Sequence, residues 1–124
     1  MREHVDLARS ESGFTLIELL VVVAIIGILS AIAIPQFSAY RERGFDGQAV
    51  ADLKNLALAQ DSYFAVNGAY TTQVADLEGF VGSPGVTVTV ESITTTAYTA
   101  SSVHQHGSTT HRWDSASGGL QGAS

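Results

Sequence analysis

From Phe14 to Ile34 the chain reads FTLIELLVVVAIIGILSAIAI, an apolar run whose only charge is Glu18. About 20 apolar residues, each rising 1.5 Å, match the hydrocarbon core of a bilayer, which predicts a membrane-spanning helix over residues 14–34. Pro35 lacks a backbone donor and restricts Ile34, so a kink or local loosening is expected there before the helix resumes. From Ala49 onward the pattern narrows. Leu53, Leu56, Ala57, Gln60 and Phe64 recur three or four positions apart as one stripe, with Asp52, Lys54, Asn55, Asp61 and Ser62 largely off it. Gly44 and Gly47 each weaken a helix by up to about 1 kcal/mol relative to alanine. The expected helix begins at about Thr15 and fills residues 14–66, and Asn67-Gly68 ends it because both tolerate the left-handed cap conformation.

Beyond Gly68 the period changes from helix to strand. Val86, Val88 and Val90 alternate with Thr87, Thr89 and Glu91 after the turn cluster Gly82-Ser83-Pro84-Gly85. Ala97–Ala100 and His111–Trp113 predict a second and a third strand, with Gln105-His106-Gly107-Ser108 as the turn between them. The fold class is therefore α+β: a long N-terminal helix and, over residues 67–114, a connecting loop and a small antiparallel sheet packed on the helix's second half. A sheet of this size depends on that packing for its stability. Residues 115–124, SASGGLQGAS, read as a flexible tail.

Composition narrows the functional classes. The 124 residues allow one small domain beside the apolar helix. Residues 1–13, MREHVDLARSESG, are polar and read as a leader. After it, four basic residues (Arg41, Arg43, Lys54, Arg112) face nine acidic ones, a balance that repels phosphate backbones and argues against nucleic acid as an obligate partner. There is no cysteine, hence no disulfide and no thiolate metal site. His104, His106 and His111 fall near one turn and strand, but their spacing matches no strong metal template, so no metal and no cofactor is expected. No nucleophile–base pattern and no phosphate-binding loop stands out, so the chain does not read as an enzyme.

Glu18 is the anomaly. A charge deep in a membrane helix costs roughly 2.5–3.5 kcal/mol on insertion scales and usually marks a functional partner. A cut after Gly13 would create that partner, a free amine on Phe14, one helical turn from Glu18 and equally within reach of a neighbouring copy.

Gly13, Phe14, Glu18, Gly27 and Pro35 together resemble the N-terminal signature of type IV pilins. The resemblance implies cleavage after Gly13 by a prepilin peptidase and N-methylation of the new N-terminal Phe14. It also implies a charge pair between the Phe14 amine and Glu18 of an adjacent subunit, and helix loosening between Gly27 and Pro35 in the filament. The partners it implies are further copies in a helical filament, the assembly machinery with its ATPase, and the inner membrane before assembly. The product would be a major pilin of a surface filament for adhesion or motility; a minor pilin or a secretion-system pseudopilin is the alternative. Phe14, Phe37, Tyr40, Phe45, Phe64 and Tyr70 are placed much as in the short pilins of metal-respiring bacteria, for which electron transport has been proposed. Ring pairs are first of all packing units, however. A rival processing site also stands open: Ala31-Ile32-Ala33 resembles a signal-peptidase site, which would release a secreted domain starting at Ile34.

Overall fold

The structure, a computed structural model, describes residues 13–122. Residues 1–12 of the expected leader and the last two of the expected tail lie outside the described residues. The chain divides into two units, one through Ser38 and one from Ala39 onward.

Helix α1 spans Leu16–Asn67 and contains Gly27, Pro35, Gly44 and Gly47 without interruption. At Pro35 the missing donor leaves the carbonyl of Ala31 without its usual intrahelical bond. In the first unit, the leucine, isoleucine and valine side chains from Leu16 to Ile34 are all at least half exposed. Nothing in the described chain covers this apolar surface, and a patch of that extent needs lipid or other helices around it. The helix ends at Asn67, one residue beyond the expected range. Gly68 adopts a left-handed φ of 70° and its N–H bonds to the Phe64 carbonyl at 2.7 Å, while the Asn67 side chain donates to the Tyr63 carbonyl.

In the second unit the stripe of α1 becomes the core. Leu53, Leu56 and Ala57 pack with Leu77, Val90, Tyr98 and Ala100, and Tyr63, Tyr70, Val88 and Trp113 close around them. Two polar residues sit in the same stripe: Asp52 is 3% exposed and Gln60 is fully buried. Asp52 belongs inside rather than off the stripe, because Ser83 satisfies its carboxylate: the Ser83 N–H donates at 2.6 Å and its hydroxyl at 2.9 Å.

The sheet has four antiparallel strands in sequential order, β1 (Val86–Ile93), β2 (Tyr98–His104), β3 (His111–Asp114) and β4 (Gly119–Leu120). Val90 and Trp113 flank Ala100 across the first two ladders, and a bulge falls between Val90 and Ser92. The fourth strand corrects the three-stranded expectation, and it corrects the flexible reading of the residues after Asp114. The Asp114 carboxylate accepts from the Ala116 N–H and the Ser117 hydroxyl, which winds Ser115–Ser117 into a 3-10 turn. Gly118 and Gly119 then take φ of 90° and 102°, reversing the chain so that Gly119 pairs with Asp114 and Leu120 with Trp113. A Cβ on Gly119 would stand 3.0 Å from the Trp113 indole. Glycines that read as flexibility are here the residues that make a tight reversal possible.

Candidate functional site at the N-terminal segment

Gly13, Phe14 and Thr15 precede α1, take no regular secondary structure and are exposed; Phe14 is 87% exposed. The Gly13–Phe14 bond therefore lies in non-helical, accessible backbone just before the helix starts. Thr15 sets that start. Its hydroxyl accepts the Glu18 N–H at 3.1 Å and its carbonyl accepts the Leu19 N–H at 3.2 Å. This is N-capping: a threonine oxygen takes one of the four amides that the first turn leaves unpaired. Its sequence signal is Thr-x-x-Glu, the capping-box spacing, which marks Thr15 as well as Glu18.

Capping fixes the Glu18 backbone and leaves its side chain unclaimed. Among the described residues, the Glu18 carboxylate makes no hydrogen bond or ion pair; the one ion pair there joins Arg112 to Glu91 at 3.4 Å. The carboxylate stands in the first turn, where the positive end of the helix dipole favours an anion. An amine at Phe14 would instead be disfavoured by that same dipole unless a carboxylate met it.

The six aromatic residues do not form one array within the chain. Phe14, Phe37 and Tyr40 are largely exposed. Phe45 stacks on His104 at 4.3 Å between ring centroids. Phe64 contacts Tyr70 at 4.7 Å, and Tyr70 contacts Tyr98 at 4.8 Å. Burial pushes the Tyr98 phenol well above its ordinary range, with the Asp61 carboxylate adding to the shift. Of the histidines, His104 is buried and its Nδ1 accepts the His106 N–H at 2.9 Å, so this ring shapes the β2–β3 turn. No group of three His, Asp or Glu side chains is placed to hold a metal ion among the described residues.

Three polar anchors tie loops to α1. Asp46 accepts from the Ser108 N–H and hydroxyl and from the Thr109 N–H. Asp52 holds Ser83, as above. Gln60 pairs with the main chain of Thr71 in both directions, donating at 2.7 Å and accepting at 3.2 Å. In a chain without cysteine, these hydrogen bonds hold the loops to the helix.

A family model described as the prokaryotic N-terminal methylation motif matches residues 8–34. Type IV wide pilus major component PilA4 of Thermus thermophilus is 38% identical over 102 residues, covering 80% of this chain and 78% of the relative. The chain belongs to the type IV pilin family. Other members are similar over shorter stretches. Type IV major pilin protein PilA of Myxococcus xanthus is 52% identical over 59 residues, 48% of this chain and 27% of the relative. Type II secretion system core protein G of Pseudomonas aeruginosa is 42% identical over 76 residues, 61% of this chain and 54% of the relative. The chain thus spans about half or less of the length of these two members. The long apolar helix joined to an antiparallel sheet is the α+β arrangement expected of a pilin.

Proposed function

We propose that this chain is a structural subunit, a major pilin, cleaved after Gly13, N-methylated on Phe14 and assembled through α1 into a surface filament. The observation that carries the proposal is the uncommitted Glu18 carboxylate in an otherwise apolar, exposed first turn, four positions from an accessible Gly13–Phe14 bond. Cleavage supplies a cationic amine where the helix dipole disfavours one, and Glu18 of an adjacent copy neutralises it. The precursor waits in the inner membrane. Transfer of α1 from lipid to a bundle of like helices changes apolar burial little, so packing and this charge pair set the register. Gly27 and Pro35 are the positions where α1 loosens in the filament, since proline has already removed one helical bond there. The exposed rings of Phe14, Phe37 and Tyr40 serve as packing contacts between copies. A prepilin peptidase and an assembly ATPase act on the chain, which is not itself an enzyme.

Glu18→Leu tests the pairing. The variant chain is expected in the membrane at normal level, because losing a charge favours insertion, while sheared surface filaments fall by about tenfold or more. Normal filament yield from Glu18→Leu would overturn the pairing. A second reading, a pseudopilin of a secretion system, is favoured by the 42% identity to a core protein G. Abundant surface filaments with this chain as the main component favour the first reading, and secretion loss without such filaments favours the second.

A further inference from the structure

From Ala39 onward, three large aliphatic side chains are more than half exposed: Leu58 at 67%, Val66 at 84% and Val81 at 83%. All three line two adjoining concavities of about 710 and 330 Å³ that share Ala59, Ser62 and Glu78 as walls. The apolar floor is rimmed by Asp76 and Glu78, neither of which faces a cation among the described residues. The complementary charges lie on the same chain and are equally unpaired. Arg41 and Arg43 make no ion pair there; Arg43 lies over the ring of Tyr40 at 5.6 Å, and Tyr40 is 67% exposed. Tyrosine and arginine beside one another, exposed and without partners, have the composition of an interface anchor.

We propose that the Tyr40–Arg43 turn of one copy docks into the Leu58–Val66–Val81 groove of a second copy, with Arg43 facing Glu78. An acidic rim disfavours an anionic lipid surface as the occupant, whereas it suits the cationic turn of this same chain. The two patches differ, so the contact is heterologous; because it also displaces each copy along the helix axis, its repetition yields an open helical array rather than a closed ring. Arg43 and Ser62 are 19 positions apart on α1, about 28 Å at 1.5 Å per residue. Copies joined this way are therefore displaced by much more than the single turn between Phe14 and Glu18, so the contact joins more distant neighbours than the amine–Glu18 pair. The inference rests on the filament reading and adds a second contact to it.

The absence of cysteine makes a cross-linking test clean. Chains carrying Arg43→Cys and chains carrying Glu78→Cys are produced together, and sheared filaments are treated with a short bis-maleimide. The contact predicts cross-linked dimers from the mixture and none from either chain alone. Filaments that contain both chains and give no dimer, or give it equally with one chain, overturn the docking while leaving the filament reading intact. A wild-type chain that forms no filament overturns the reading and the docking together. Charge exchange is the second measurement. Arg43→Glu should lower filament yield about tenfold at unchanged membrane level, since like charges then meet at every repeat, and adding Glu78→Arg should restore it. Failure of the exchange to restore yield counts against the contact.

Discussion

Replacing Gln60 with methionine keeps the length and unbranched shape of the side chain but removes both of its hydrogen bonds to Thr71. Gln60 is fully buried and Thr71 is 6% exposed, so water does not take over either bond in the folded state. Each neutral hydrogen bond contributes about 1 kcal/mol net, and each buried main-chain group left unpaired costs about 1–3 kcal/mol. Methionine recovers part of this by adding apolar burial. The expected loss is about 3 kcal/mol, which for a unit of this size lowers the unfolding temperature by roughly 12–24 °C. Trp113 is the only tryptophan and packs against the core, so its fluorescence reports unfolding of this unit during a denaturant titration of the full chain in detergent. The slope should stay unchanged while the midpoint falls. Lys54→Ala, on an exposed position, is the control and should stay within about 0.5 kcal/mol. A Gln60→Met loss below about 1 kcal/mol would refute the view that the Gln60–Thr71 pair anchors the loop after α1.

The same titration checks two further expectations. Asp52→Ala frees the Ser83 amide and hydroxyl at once; hydrogen bonds to a charged group contribute about 1.5–3 kcal/mol each, so a loss of about 3–6 kcal/mol is expected, with Ser83→Ala costing less because its N–H remains. The raised Tyr98 phenol gives a pH dependence with a definite sign. The folded state keeps the proton above the pH at which an unfolded tyrosine loses it, so stability is full at neutral pH and declines as pH rises past about 10. Tyr98→Phe should flatten the decline, and an equal decline in that variant would remove Tyr98 as its source.

Periodicity made the long helix and its two halves legible, because an apolar run and a three-to-four-residue stripe are local signals. Asp52 was harder: the pattern put it off the stripe that correctly included Gln60, because its burial depends on Ser83, 31 positions away. Polarity predicts exposure only until a distant loop supplies a partner. Gly118 and Gly119 misled for a different reason. Composition reads glycine as freedom, whereas pairing with β3 uses that freedom for one fixed reversal. At the N-terminus the capping role of Thr15 needed only the spacing to Glu18. The groove of Leu58, Val66 and Val81 had no sequence signature, since it combines side chains of α1 with the loop after it.

The most direct test of the account is the mass and N-terminal sequence of the chain recovered from purified surface filaments. The account predicts a subunit that begins at Phe14 and carries one methyl group on its α-amine. A subunit beginning at Met1 or at Ile34, or an absence of this chain from surface filaments, would contradict it.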